Sequence, residues 1–381
     1  MRGKPARIVW GVLACVLALA GTAGAQSTFC IQSIQQNPDC SITLTWPATR
    51  TRSYLVMFAN APNGPWQAFP DGTLVAGATN LTLSYTDTNA PAVSQRFYKV
   101  GTPLTPLLMM LVLDRSGSMG CLPIPGTDCS GGGQYLAVVV TNFINYFDDN
   151  TDVVGEDSFS TVATLDVPMQ TPFKNAIDAS VETMEFDGWT YADGGLQVAL
   201  NQFNAQALPP GQRALKVLVF FTDGFANTAL KQLSCSTTPL LMSQSDPVGD
   251  PSGPWGYTFE NTNDGNSVSC DSTTFLSIDG TIKTISPDNQ NVWNEGELEA
   301  LATADTLRTS NVVIFAIGLG TSSPPVINTT FLEEVANVND PGNPTYNASQ
   351  PSGTAVFAPT VSQLQQVFQQ IASDIQSLRS P

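Results

Sequence analysis

Leu107-Leu108-Met109-Met110-Leu111-Val112-Leu113 runs without a polar side chain and stops at Asp114-Arg115-Ser116-Gly117-Ser118. A strand with one wet face alternates apolar and polar residues. An unbroken apolar run is covered on both faces, the usual state of a central parallel strand. The run ends in a carboxylate and two hydroxyls at alternate positions. In open α/β sheets, ligands bind in the crevice beyond the carboxyl ends of the strands. Three hard oxygen donors therefore fall where such a fold keeps its site. Carboxylate and hydroxyl oxygens, without nitrogen or sulfur, suit Mg²⁺, Ca²⁺ or Mn²⁺.

Two further stretches extend this pattern. Gly188-Trp189-Thr190, followed by Gly194-Gly195-Leu196, places a hydroxyl in a glycine-punctuated loop ahead of a helix. Leu215-Lys216-Val217-Leu218-Val219-Phe220-Phe221-Thr222-Asp223-Gly224 is a second β-rich run that ends in a carboxylate. Together the three pieces resemble the von Willebrand factor A domain and its metal-ion-dependent adhesion site. The family pattern of D-x-S-x-S, a later Thr and an Asp after a further strand maps onto Asp114, Ser116, Ser118, Thr190 and Asp223. The resemblance spans residues 103–379. It implies an α/β fold with a doubly wound, mainly parallel sheet, helices on both faces and one short antiparallel edge. It also implies that the two serines hold Mg²⁺ directly, with Mn²⁺ or Ca²⁺ as substitutes. Thr190 and the aspartates then bind directly or through water, and one position stays open for a partner's carboxylate.

The periodicity of the remaining chain agrees with an α/β unit. Leu136, Val140, Phe143, Ile144 and Phe147 recur at helical spacing, as do Phe173, Ile177, Val181 and Met184. Leu196, Leu200 and Phe203 mark a helix after Thr190, and Glu295–Arg308 another. Val312–Ile317 reads as a core strand, Thr354–Phe357 as an edge strand, and Leu364 to Leu378 as a last helix. Alternating strands and helices predict a mainly parallel sheet. Residues 226–292 break the pattern, being long and rich in Ser, Thr, Asn, Asp, Gly and Pro. They read as an insertion leaving from beside Asp223, and loops of that length inside a domain are often functional. Thr262-Asn263-Asp264-Gly265-Asn266 within it lacks the spaced acids of a calcium loop and reads as a plain turn.

The N-terminal part differs. Met1–Ala25 has a basic start, an apolar stretch and small residues before Gln26, the pattern of a cleaved secretory signal. Residues 26–101 alternate at period two, as in Ile42, Leu44 and Trp46, with turn residues between the runs. That predicts a small antiparallel β-sandwich. Its strands Ser41–Trp46 and Arg96–Val100 resemble a fibronectin type III module. Trp46, Trp66, Phe97 and Tyr98 read as core rather than as a carbohydrate platform. Export permits disulfides. Without Cys15 of the signal, six of the seven cysteines remain and allow many pairings; proximity favours Cys30–Cys40, Cys121–Cys129 and Cys235–Cys270.

Composition narrows the function. The chain has 381 residues and a net charge of -17. That argues against nucleic acid and anionic membranes as partners. It contains no histidine, which removes the Ser-His-Asp triad and His-ligated zinc. No P-loop or nucleophile elbow occurs. The expectation is a secreted or surface-located, metal-dependent binding protein, with no transmembrane segment in the mature chain. It would engage a protein or acidic ligand that donates a carboxylate to the metal. A structural component of a surface appendage, its metal stabilising the fold, is the alternative. A metal-dependent hydrolase ranks below both.

Overall fold

A computed structural model describes residues 30–379 except 50–52, 63–65, 78, 80–81, 91–94, 103–104, 121–132, 209–212, 246–255, 287–289, 321–327 and 359–360. The expected signal sequence and the Cys121–Cys129 pairing lie outside the described residues. The chain divides into two compact units, one N-terminal to Thr105 and one spanning Thr105–Arg379.

The first unit is all β. Strands β1 (Ser33–Gln36), β2 (Ile42–Pro47) and β5 (Thr82–Asp87) form one three-stranded antiparallel sheet. Strands β3 (Ser53–Ala59), β4 (Gln67–Val75) and β6 (Phe97–Gly101) form another in the order β4-β3-β6. Both sheets contribute to one core of Leu44, Trp46, Tyr54, Val56, Phe69 and Val100. The period-two alternation in the sequence is this burial pattern, since every second residue of a strand points to the same face. Trp46 lies fully inside, whereas Trp66 is exposed.

The Cys30–Cys40 bond favoured by proximity is not made, because Cys40 is an exposed free thiol. The β1–β2 hairpin explains this. Cys40 lies in its turn with a left-handed backbone, φ 68°, while Cys30 precedes the far end of β1, where Ser33 faces Thr45. Closeness in sequence becomes distance along the hairpin.

The second unit is built on a six-stranded sheet. Its strands are β7 (Leu107–Asp114), β8 (Val153–Phe159), β9 (Ala163–Gln170), β10 (Leu215–Thr222), β16 (Val312–Leu319) and β17 (Thr354–Ala358). Their order is β17-β16-β10-β7-β8-β9. Every pairing is parallel except β8 with β9, the antiparallel edge. Helices α1 (Gly133–Ile144), α2 (Lys174–Glu182), α3 (Ala192–Ala205), α4 (Asn291–Thr309), α5 (Thr329–Val335) and α6 (Val361–Arg379) cover it.

All eight residues of β7 are buried, and two separate cores account for this. Leu107, Met109, Leu111 and Leu113 pack with Phe143 of α1, Ile177 of α2 and Phe368 of α6. Leu108, Met110 and Val112 pack on the other face with Leu196 of α3, Ala300 of α4 and Phe331 of α5. Each large apolar side chain so buried contributes about 1.5–3 kcal/mol. The unbroken run of the sequence is thus a strand with a helical layer on either side.

The described part of residues 226–292 holds more regular structure than the loop-like composition suggests. Strands β11 (Thr228–Lys231), β12 (Leu240–Ser245) and β13 (Gly256–Asn261) form an antiparallel sheet, and β14 (Thr274–Leu276) pairs with β15 (Ile282–Thr284). Buried backbone groups need partners, and these ladders supply them. Ala229, Leu240, Met242, Phe259 and Phe275 make a small separate core. The expected Cys235–Cys270 disulfide closes on it. The Thr262–Asn266 segment is a self-contained turn. Asn261 Oδ1 accepts the Asn263 N–H at 2.8 Å and Asp264 Oδ1 the Asn266 N–H at 3.1 Å.

Candidate metal centre

Asp114 is the last residue of β7, and a 3-10 turn Gly117–Met119 follows it and carries Ser118. Asp223 follows the last residue of β10, the strand beside β7. These strands are parallel, with Leu113 opposite Phe221, so both carboxylates emerge at the same end of the sheet.

Thr190 arrives from the loop ahead of α3. The first turn of that helix lies hard against the sheet. A Cβ on Gly195 would stand 2.7 Å from the Phe159 ring and 2.8 Å from Val112, so only glycine permits this approach. The loop is laced to the Asp114–Ser118 segment by two backbone bonds. Gly117 N–H donates to Gly188 O at 3.0 Å, and Asp187 N–H to Arg115 O at 3.0 Å. Gly188 holds φ +79°, and a Cβ there would strike Thr161. Thr190 therefore comes to the sheet end because short glycine contacts let two loops touch.

A chain of hydrogen bonds joins four of the five expected residues. Asp114 Oδ1 accepts the Ser116 N–H at 2.7 Å, and Asp114 Oδ2 accepts the Thr222 hydroxyl at 2.5 Å. The Ser116 and Ser118 hydroxyls are 3.0 Å apart, and Ser118 Oγ donates to Asp223 Oδ1 at 2.7 Å. Thr190 faces the same place without joining the chain. A Cβ built on Gly224 would be 3.7 Å from Ser118 Oγ and 3.9 Å from Thr190 Oγ1. Asp114, Ser116 and Thr190 are buried, Asp223 is half-buried and Ser118 is exposed. The cluster thus opens to solvent on the Ser118–Asp223 side.

Its electrostatics are unbalanced. Burial pushes both carboxyls above the ordinary aspartate range, and the charge of Asp114 raises Asp223 further. Hydrogen bonds from Ser116 and Thr222 oppose the rise at Asp114. Among the described residues, no ion pair involves either aspartate. Arg115, though next in sequence, points elsewhere and donates from Nε to Ser158 Oγ at 3.0 Å. Two acids and three hydroxyls, with no nitrogen or sulfur, form a donor set that fits a hard divalent ion. Such an ion would cancel the imbalance and return both carboxyls to the ionised form. No grouping of three or more His, Cys, Asp or Glu side chains suited to a metal occurs among the described residues.

The structure brings all five expected residues to one end of the sheet, and it adds two that sequence reasoning missed. Thr222 binds Asp114 directly, but in sequence it reads as one more strand residue before Asp223. Asn227 binds Thr190. Its side-chain Oδ1 accepts the Thr190 N–H at 2.8 Å, and its own N–H donates to Thr190 O at 3.2 Å. Nothing in the string Phe225-Ala226-Asn227 signals that role.

No family model matches the sequence, and no curated protein matches it. Solved structures with a similar course of the chain include the vWF domain of the type V pili tip protein Mfa5 from Porphyromonas gingivalis. That match covers 74% of this chain and 98% of the other, at 14% identity and a TM-score of 0.47. The PilB minor pilin from Streptococcus sanguinis covers 94% of this chain and 80% of its own, at 14% identity and 0.47. The pilus adhesin SpaC from Lactobacillus rhamnosus GG covers 93% of this chain and 37% of its own, at 14% identity and 0.48. With scores below 0.5 these likenesses carry no weight for function, which rests on the side chains described above.

Proposed function

We propose that this chain is an exported, divalent-metal-dependent binding protein of the von Willebrand factor A type. The single observation that carries the reading is the hydrogen-bonded chain Asp114–Ser116–Ser118–Asp223, open to solvent at one end, in which neither aspartate has an ion-pair partner among the described residues. Asp114, Ser116, Ser118, Thr190 and Asp223 would hold Mg²⁺, or Mn²⁺ or Ca²⁺ in its place. When bound, the ion supplies an electrophilic point that an acidic side chain of a partner can complete. The neutral hydroxyls orient that point, and the buried face of Asp114 keeps water from competing on the inner side. The fibronectin-like first unit serves as a spacer or accessory binding module. The two carboxyls are not an acid/base pair in this reading, because a bound cation keeps both ionised, and no enzymatic role is proposed.

The test is capture of partners from the protein's native surroundings by the immobilised, oxidised chain. Capture is expected in millimolar Mg²⁺, lost in EDTA, and lost for Asp114→Asn in either buffer. Partners retained equally in all conditions would overturn metal-bridged recognition. Capture that survives Asp114→Asn, with a large ion-dependent change in melting of the wild type alone, favours the appendage reading in which the metal only stabilises the fold.

A further inference from the structure

We propose that Asn227 is the positioning residue of this site, and that through it the 226–292 insertion becomes part of the metal centre. The inference rests on the metal-binding reading above and adds to it a residue that touches no ion. Among the five candidate ligands, Thr190 alone makes no side-chain hydrogen bond within the described residues. It belongs to no helix or strand. What fixes its hydroxyl is its backbone, and Asn227 grips that backbone at two points, one bond accepted and one donated.

Asn227 is itself anchored in the insertion. Its carbonyl accepts the N–H of Gln244, on β12, at 2.9 Å. The Thr228 hydroxyl donates to the same Oδ1 at 3.2 Å, which sets the amide's orientation. A second contact from the insertion falls on the preceding residue, where the Trp189 indole N–H donates to Glu260 Oε1 at 3.1 Å. Glu260 is braced by Ser243, whose hydroxyl reaches Oε2 at 3.0 Å, and by the Thr258 hydroxyl. The sheet side of the loop is tied by Trp189 N–H to Thr161 Oγ1 at 3.1 Å and by Tyr191 N–H to Ser160 O at 2.9 Å. The loop bearing Thr190 is thus held between the main sheet and the disulfide-closed insertion. Mg²⁺ demands near-octahedral oxygens at short distance, so a ligand set by such a grip is sensitive to its loss. Removing a group that orients a metal ligand weakens metal affinity about 10–100-fold.

The experiment titrates Mg²⁺ and Mn²⁺ into the full oxidised chain by calorimetry and follows melting in EDTA. Asn227→Ala is expected to bind both ions about 10–100-fold more weakly, while its melting in EDTA falls little. Asn227→Asp, which keeps the acceptor oxygen, is expected to recover most of the affinity. An unchanged affinity in Asn227→Ala, or a melting loss equal with and without ion, overturns the proposal and leaves Asn227 a structural residue. A second measurement needs no variant. If the Thr190–Asn227 bond favours the ion, the ion must favour the bond by the same factor. Hydrogen exchange at the Thr190 amide of the wild type is therefore expected to slow when Mg²⁺ is added, and an unchanged rate in an ion-saturated chain overturns the proposal. No ion uptake by the wild type would instead overturn the metal-binding reading on which it stands.

Discussion

Asp114→Asn is expected to abolish stabilisation by Mg²⁺ and yet to melt, in EDTA above neutral pH, no lower than the wild type. The two halves have one cause. Asp114 and Asp223 are carboxyls raised by burial and, at Asp223, by the neighbouring charge. The native state therefore holds protons that the unfolded chain releases at about pH 4. Stability from these groups is present below that range and is lost as pH rises towards their raised native values. A bound divalent ion removes this loss, and at 100 times its Kd it adds about 2.7 kcal/mol. Asparagine keeps the shape and one acceptor oxygen, but it contributes no charge to an ion and suffers none of the repulsion. Thermal melting from about pH 5 to 8, with and without Mg²⁺, measures both effects. Glu156, raised to about 8, and Asp157, also raised, add a pH dependence of their own through burial. That background is common to wild type and variant, so their difference isolates the site. An ion-dependent rise in melting that persists in Asp114→Asn would contradict the assignment of Asp114 as a ligand.

Arg379→Met is expected to produce the largest loss of stability away from the site. The Arg379 guanidinium meets buried Asp152 through two bonds, at 3.0 Å and 2.5 Å, and donates from Nε to Thr105 O at 3.0 Å. The backbone N–H of Thr105 in turn donates to Arg379 O at 3.2 Å. The last turn of α6 is thereby fastened to the segment that enters β7. Removing the guanidinium leaves the fully buried Asp152 carboxylate without its counter-ion, at a cost of about 3–5 kcal/mol. For a unit of this size that lowers the melting temperature by roughly 10 °C. Replacing both residues with apolar ones is expected to recover much of the loss, because no charge is then left unpaired. Calorimetric melting of the single and double variants checks this, and a single variant within about 1 kcal/mol of wild type would show the pair to be weak.

The parts of this molecule that show in its sequence are those set by strand and helix periodicity. The Leu107–Leu113 run declares a strand buried on two faces, and it is one. The abrupt stop at Asp114, and the like stop at Asp223, place both carboxylates at one sheet end because parallel neighbours in register finish together. Thr190 is legible only through the spacing of a known pattern, since its position depends on loop contacts at Gly188 and Gly195 rather than on periodicity. The insertion was illegible for a different reason. Its strands are short, and its core gathers Ala229, Met242, Phe259 and Phe275 from segments far apart in the chain. Polar composition masked the alternation, and only tertiary pairing restores it. Asn227 shows the same limit, for a side chain that grips a distant backbone leaves no period to read. The Cys30–Cys40 expectation failed because a hairpin separates what sequence places close.

The most direct measurement is calorimetric titration of Mg²⁺ into the purified, oxidised chain at neutral pH, repeated with Mn²⁺ and Ca²⁺ and with Asp114→Asn. Uptake of one divalent ion per chain, absent in the variant, is the expected result. Failure of all three ions to bind the folded wild type would contradict the presence of a metal centre at Asp114, Ser116, Ser118, Thr190 and Asp223.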